Sequence, residues 1–184
     1  MNDDPSWYGT AKGSVYITEG KAVFNGTDSA STYIKFPKGI LGSDTSFSIE
    51  VWVAIYNSSG FTNNMSIFNF RKSVPFADGY FNSISLDMFG SELISSIDAY
   101  KADLSDVSSK LKTPEQNFKK EIHIVQTFSA LNITKLYFNG KFMGQSTFSS
   151  FPWSCDEENY LGFSMNKNGD TFGFNGEIDE FRIW

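Results

Sequence analysis

The sequence predicts an all-β sandwich, and three observations support this prediction. Aromatic residues make up 17% of the chain, with 19 Phe and 8 Tyr among 184 residues, and such flat, bulky side chains suit pleated strands that pack face to face. Short runs of apolar or alternating residues recur between turn signals along the whole chain. No period of about 20 to 50 residues repeats, which argues against a propeller or a solenoid.

The predicted strands follow these runs. In the segment from Phe47 to Ile55 the odd-numbered residues are apolar and point to one side, which is predicted to be the core. The even-numbered residues, which include Glu50 and Trp52, point to the other side. The predicted strands are Ser14–Thr18, Ala22–Phe24, Tyr33–Phe36, Ser46–Ile55, Ser66–Arg71, Ser83–Phe89, Leu93–Ala99, Glu121–Phe128, Lys135–Phe138, Lys141–Gln145, Asn159–Phe163 and Gly173–Trp184.

Two connections have clear local signals. Asn139-Gly140 separates two strand-like runs, and this dipeptide readily adopts the two positive φ angles of a type I′ hairpin turn. The stretch from Ala102 to Lys112 has weak helical character and is followed by Pro114, so it is predicted to be a surface connection. Function is expected on the longer loops, as is usual in sandwiches.

Composition and charge limit the classes of partner. The formal net charge is −6 and the longest basic run is the pair Lys119-Lys120, so nucleic acid is not an expected partner. Cys155 is the only cysteine, which excludes an internal disulfide. The first five residues have neither the basic region nor the apolar core of a signal peptide, and membrane insertion is not expected. We expect residues 1–184 to form a single domain that is a module of a longer protein.

Four segments carry a resemblance to a known family. They are an opening pair of strands at 20–26 and 33–37, a tryptophan-bearing strand at 47–53, a strand and hairpin at 121–128 and 136–141, and a closing strand at 174–183. In this order they resemble the laminin-G-like members of the concanavalin A-like lectin and glucanase superfamily. The resemblance implies a jelly-roll sandwich of two antiparallel sheets. It also implies a role in binding carbohydrates or matrix proteins, often with calcium.

A catalytic site is not predicted. Enzymes of this superfamily that hydrolyse β-glucans place Glu, Asp and Glu on alternate residues of one strand, because two carboxylates must flank the glycosidic bond. Glu177 and Asp179 share a face of the closing strand, but Phe181 is expected next on that face and Glu180 is expected to point the other way. His123, the only histidine, is predicted to be a hydrogen-bonded core residue rather than a general base.

A structural calcium ion is the predicted cofactor, because calcium takes oxygen ligands that loops can bring together. The resemblance places Asn25, Asp28 and Asp179 where relatives build ion sites. Further loop candidates are Asp156, Glu157 and Asp170. The alternative is that these carboxylates are simply solvated, since none has the dense spacing of an EF-hand loop.

Glycan recognition needs an aromatic face for the C–H groups of a sugar and polar groups that orient its hydroxyls. Two loops combine these groups, and the alternative is that their rings anchor the loops over the core. Trp52 is assigned to packing because it lies within a strand. The predicted ligand-binding residues are Trp153, Asp156 and Asn159 in one loop and Tyr80, Asp78 and Asn82 in the other.

The sequence thus predicts a non-catalytic, lectin-like carbohydrate-binding module of an extracellular, cell-surface or virion protein, with a glycan or glycoconjugate as partner. The alternative is a protein–protein adhesion module, in which an apolar loop patch meets a polypeptide. A glycoside hydrolase or lyase of the same fold is the third hypothesis, and the incomplete carboxylate set argues against it.

Overall fold

The computed structural model describes residues 9–25, 32–41, 45–56, 64–73, 81–99, 108–114, 120–148, 157, 159–165 and 171–184. Within these ranges the regular structure is all strand, and there is no helix long and apolar enough to cross a membrane. The strands are β1 Thr10–Lys12, β2 Val15–Thr18, β3 Lys21–Phe24, β4 Tyr33–Phe36, β5 Phe47–Ile55, β6 Met65–Ser73, β7 Phe81–Phe89, β8 Glu92–Asp98, β9 Ser109–Lys112, β10 Ile122–Ser129, β11 Ile133–Phe138, β12 Lys141–Thr147, β13 Asn159–Leu161, β14 Phe163–Met165, β15 Thr171–Gly173 and β16 Gly176–Ile183.

Two antiparallel sheets form the sandwich. The β6 sheet has the strand order β1-β4-β13-β6-β7-β8-β9, and the β5 sheet has the order β12-β11-β10-β5-β16-β3-β2. Strands β14 and β15 pair separately as a short two-stranded unit. The predicted all-β, two-sheet antiparallel jelly roll is therefore confirmed.

The core lies between the two sheets and follows the predicted alternation. The odd-numbered residues of β5 are buried, and its even-numbered residues are partly exposed. On the β6 sheet, Ile84 and Leu86 are fully buried and join the same apolar cluster. Strand β10 also alternates, with Ile122 and Ile124 turned inward.

The predicted hairpin at Asn139-Gly140 is confirmed. Asn139 has φ 47° and Gly140 has φ 76°, as a type I′ turn requires. Strands β11 and β12 pair directly on either side, with Phe138 opposite Lys141.

Two short edge strands were not predicted. Strand β1 lies at one edge of the β6 sheet, and β9 lies at its other edge. In β9, Lys110 and Lys112 are exposed while Leu111 packs against the core. The prediction of helical character is wrong for Ser109–Lys112, because one inward leucine between two lysines satisfies an edge strand as well as it does a helix. Residues 102–107 lie outside the described ranges.

The single strand predicted from Asn159 to Phe163 is broken at Gly162. This residue has φ 79°, and a Cβ atom built on it would lie 2.4 Å from the ring of Phe24. Its N–H donates to the carbonyl oxygen of Ile67 at 2.8 Å. The chain thus leaves the β6 sheet at Gly162, and β14 packs beside β6 outside the sheet.

The closing strand β16 contains a bulge that overturns one prediction. Its register with β5 shifts between Asp179 and Arg182, and Glu180 has φ 51°. Because the bulge breaks the alternation, Phe181 turns inward, where its ring stacks on that of Phe36 at 5.5 Å. The expectation that Phe181 shares the face of Glu177 and Asp179 is therefore wrong.

Candidate functional site

Most of the predicted loop residues fall outside the described part of the chain. This group contains Trp153, Tyr80, Asp78, Asp156 and Asp28. They remain predictions. Of the other predicted ligand-binding residues, Asn82 is partly buried in β7, opposite Lys72 of β6.

Asn159 has a structural role in the described fold. It has 0% exposure. Its Oδ1 accepts from the backbone N–H of Arg71 at 3.0 Å, and its Nδ2 donates to the carbonyl oxygen of Pro37 at 3.0 Å. These bonds link β13 to β6 and to the turn after β4. Because the side chain has no exposed surface, we remove Asn159 from the ligand-binding set.

The structure does not bring Asn25 and Asp179 together. The pairing of β16 with β3 ends with Ile178 opposite Ala22, and Asp179 follows near Lys21, four residues from Asn25 along the chain. At about 3.3 Å per residue this separation is about 13 Å, which is too far for one ion. Among the described residues no three His, Cys, Asp or Glu side chains converge as a metal site. The Asp179 Oδ1 accepts from the backbone N–H of Glu180 at 2.8 Å.

The outer face of the β5 sheet is a broad surface of aromatic and charged side chains. One row of paired residues crosses five strands: Phe142, Tyr137, Val125, Glu50 and Arg182. With about 4.8 Å between strands, the row is about 19 Å long. We call this surface the aromatic face, and it consists of Glu50, Trp52, His123, Tyr137, Phe142, Arg182 and Trp184.

Glu50 organises the centre of the aromatic face. Its Oε1 lies 2.8 Å from Nε2 of His123, and its Oε2 accepts from the indole N–H of Trp184 at 2.8 Å. The Arg182 guanidinium is 3.9 Å from Oε2 and 5.9 Å from the Trp184 ring. The Trp184 hydrogen bond, then that of His123, holds the pKa of Glu50 below its usual range. Glu50 thus stays ionised and orients its neighbours.

His123 differs from its predicted placement. The His123 side chain is 20% exposed and hydrogen-bonded to Glu50, so the predicted hydrogen bond is confirmed and the predicted core position is wrong. Its ring stacks on Trp52, with 4.6 Å between centroids. The alternation that buries Ile122 and Ile124 places His123 outside, and this signal was available in the sequence.

A polar network lies beside the aromatic face. Lys21 bridges Glu121 at 2.7 Å and Glu177 at 3.6 Å, and the hydrogen bond to Glu121 raises the pKa of Lys21. The Tyr56 hydroxyl donates to Glu177, and this bond, with burial, raises the pKa of Tyr56 to about 12. Glu180 pairs with Arg182. The carboxylates of the closing strand are thus engaged by neighbours.

The outer face of the β6 sheet has a different character. Many of its side chains are short and polar, and Arg71, Ile94 and Tyr160 lie on the same face. Asn69, Ser85 and Ser96 are nevertheless only 4%, 2% and 5% exposed. Strand β14 contributes to this burial, since Asn69 Nδ2 donates to Ser164 Oγ at 3.2 Å. We call this surface the serine face, and it consists of Ser66, Asn69, Ser83, Ser85, Asp87, Ser96 and Asp98.

Two oxygens of the serine face are buried without a hydrogen-bond partner. They are Asn69 Oδ1 and Asp87 Oδ1. The other carboxylate oxygen, Asp87 Oδ2, accepts from Ser85 Oγ at 2.6 Å. Burial raises the pKa of Asp87 to about 6, against the opposing effect of the hydrogen bonds from Ser85 and Ser66. Sequence reasoning missed this pair because only the register of β6 with β7 brings the two residues together.

The comparison with protein families identifies the superfamily. The family model of the concanavalin A-like lectin/glucanases superfamily matches residues 28–184. No protein of curated function matches the sequence.

Several solved structures have the same fold. The binding domain of botulinum neurotoxin serotype D/C is 13% identical, with a TM-score of 0.69 over 97% of this chain and 44% of that one. The binding domain of Paraclostridial Mosquitocidal Protein 1 is 15% identical, with a TM-score of 0.65 over 97% and 44%. The binding domain of botulinum neurotoxin DC in complex with SialylT is 14% identical, with a TM-score of 0.68 over 97% and 42%. This chain therefore spans less than half the length of these binding domains and shares their fold.

Proposed function

Since the chain belongs to the concanavalin A-like lectin/glucanase superfamily, we propose that it is a non-catalytic, lectin-like glycan-binding module of an extracellular, cell-surface or virion protein. The family and the fold shared with toxin binding domains support a binding role. One of those domains is in complex with SialylT, which makes a glycan the first class of ligand to test.

The observation that carries the proposal is the aromatic face. Trp184 is 69% exposed and Phe142 is 51% exposed, so their rings are open to a ligand. Glu50, His123 and Arg182 lie between them with hydrogen-bonding groups at the surface. Rings that cover C–H groups, beside polar groups that orient hydroxyls, form the usual combination in sugar recognition. A length of about 19 Å accommodates more than one sugar residue.

The non-catalytic part of the proposal rests on the carboxylates. A glycosidase needs two carboxyl groups free to face one glycosidic bond. Here Glu177 binds Tyr56 and Lys21, Glu50 binds His123 and Trp184, and the exposed Glu180 pairs with Arg182. These carboxylates serve as fixed acceptors.

A glycan-array screen of the purified chain, with neutral and sialylated glycans, tests the function. We expect binding that Trp52→Ala weakens at least tenfold, because Trp52 and its stacked His123 form one side of the face. The matched control is Leu131→Ala, since Leu131 is an apolar side chain with 79% exposure in the turn before β11. The control should bind as the parent does.

The same screen separates the two candidate surfaces. Trp153→Ala and Tyr80→Ala test the loop residues predicted from the sequence. Loss of binding in these variants, with Trp52→Ala unaffected, moves the site to the loops and keeps the function. An array on which the parent binds no glycan, together with capture of a polypeptide partner, replaces the glycan proposal by the adhesion alternative.

A further inference from the structure

The serine face holds two unpartnered acceptors next to each other. Asn69 of β6 is paired with Ser85 of β7, and Asp87 lies two residues after Ser85 on the same face. Such diagonal neighbours have their Cβ atoms about 7 Å apart. Their Oδ1 atoms are both buried and both lack a hydrogen-bond partner. Buried polar atoms without partners are rare in folded proteins and call for a specific explanation.

The other polar atoms of both side chains have hydrogen-bond partners. Asn69 Nδ2 donates to Ser164 Oγ at 3.2 Å, and in this orientation Oδ1 is the remaining polar atom of the amide. Asp87 Oδ2 accepts from Ser85 Oγ, so Oδ1 is the remaining carboxylate oxygen. Two buried acceptor oxygens that have no hydrogen-bond partner suit a positively charged ligand.

The neighbouring groups add further oxygens. Ser66, which has 0% exposure, is opposite Asp87, and its Oγ donates to the carbonyl oxygen of Phe68 at 3.4 Å. The register of β6 shifts immediately after it, between Ser66 and Phe68. Bulges of this kind re-aim side chains and are frequent at sites. The Ser85 hydroxyl retains acceptor lone pairs after it donates to Asp87. Carboxylate, amide and hydroxyl oxygens are the ligands of hard cations such as calcium.

We propose that Asn69 and Asp87, with the hydroxyl oxygens of Ser66 and Ser85, hold a hard cation of the calcium type on the serine face. This site is distinct from the calcium site predicted from the sequence at Asp28 and Asp179. Of those two residues the structure describes Asp179, which lies in β16 of the β5 sheet. The charges of Asp98 and Lys110 also act on Asp87, and the buried Arg71 lies on the same face, two residues after Asn69. With one carboxylate directly involved, the affinity for calcium is expected to be weak, with a dissociation constant of about 0.1 to 1 mM.

Calorimetric titration of calcium chloride into the chelator-treated chain tests the site, with potassium and magnesium chlorides as further arms. Binding heat and a rise in Tm are expected for the parent with calcium. Asp87→Asn should weaken binding at least tenfold, because it removes the charge and keeps the shape. The matched control is Asp179→Asn on the other sheet, which should bind as the parent does.

A gain-of-function variant keeps the test independent of any loss of folding. Asn69→Asp adds a carboxylate at the same position, and it should tighten calcium binding at least tenfold. The proposal is overturned if the parent gives neither heat nor a Tm change with any of the three cations. It is also overturned if binding is lost in Asp179→Asn and retained in Asp87→Asn. These outcomes are independent of the glycan proposal, which concerns the aromatic face.

Discussion

The two outer faces of the sandwich shift the pKa of a carboxyl group in opposite directions. On the aromatic face, hydrogen bonds from Trp184 and His123 lower the pKa of Glu50. On the serine face, burial raises the pKa of Asp87 to about 6. Both residues lie in long central strands of their sheets and point away from the core.

The two pKa shifts differ in direction because the two carboxyl groups have different hydrogen-bond partners and different exposure to water. Glu50 receives donors at both oxygens and its side chain is 20% exposed, so water and donors both stabilise its charge. Asp87 receives the Ser85 hydroxyl at Oδ2, and Ser66 also lowers its pKa, but Oδ1 is shielded from water and burial outweighs both hydroxyls. The outward side of a sheet is therefore not by itself a solvated environment.

The largest predicted effect on stability comes from a substitution at Gly162, where the chain enters β14 and covers part of the serine face. Gly162 directs the chain from β13 into β14 with φ 79°, and Phe24 occupies the space where a Cβ would lie. Gly162→Ala should lower the free energy of unfolding by about 4 kcal/mol, through both backbone strain and overpacking. The midpoint of urea unfolding measures the effect.

Gly140→Ala is the matched control for Gly162→Ala. Gly140 also has a positive φ, 76°, but nothing lies within 4 Å of a Cβ built there. Only the strain remains, so the loss should be about 1 kcal/mol. Equal losses at the two positions would show that contact with Phe24 does not matter.

The next largest effect is the dependence of the free energy of unfolding on pH that Asp87 causes. Below its unfolded pKa of 3.8 the carboxyl is protonated in both states, and no difference arises. As the pH rises, the unfolded chain releases the proton first, so stability falls until about pH 6 and is constant above it. The shift to about 6 corresponds to a loss of up to about 3 kcal/mol.

Asp87→Asn should remove this loss. In a chelating buffer the variant should be more stable than the parent by about 2 kcal/mol above pH 7 and should match it near pH 4. Urea unfolding at steps of one pH unit from 4 to 8 gives the comparison. A constant difference between variant and parent across this range would contradict the assignment. Asp98 and Lys110 face the same carboxyl and are unchanged in both proteins.

Local patterns predicted the parts of the fold that depend on neighbours in sequence. The alternation of β5, the strand β10 and the hairpin at Asn139-Gly140 are confirmed because each follows from period and turn chemistry. The same reasoning failed at Glu180, where a bulge reverses the alternation. It also missed β9, whose one apolar inward residue is Leu111.

The candidate surfaces depend on pairing between strands, which a single sequence does not specify. Glu50 meets His123 through pairing across 73 residues of sequence, and Asn69 meets Ser85 only in the register adopted after the bulge in β6. The side of the sheet occupied by Trp52 was predicted, because the alternation of β5 places it on the same side as Glu50. The loop residues Trp153 and Tyr80 stay predictions.

The smallest predicted effect concerns Glu50 on the aromatic face, and its dependence on pH has the opposite sign to that of Asp87. Because the pKa of Glu50 is lowered in the folded state, its contribution to stability is present above the unfolded value of 4.5 and is lost as the pH falls through the folded pKa. Glu50→Gln should cost about 1 kcal/mol at pH 7, since a neutral amide accepts more weakly from Trp184 and presents a donor towards His123. Urea unfolding at pH 7 measures the loss caused by the substitution, and urea unfolding at pH 3 measures the stability lost on acidification. The variant should lose less stability on acidification than the parent does, whereas Asp87→Asn should change the profile between pH 4 and 6. Identical acid profiles for Glu50→Gln and the parent would mean that the two faces do not differ in the way their hydrogen bonds indicate.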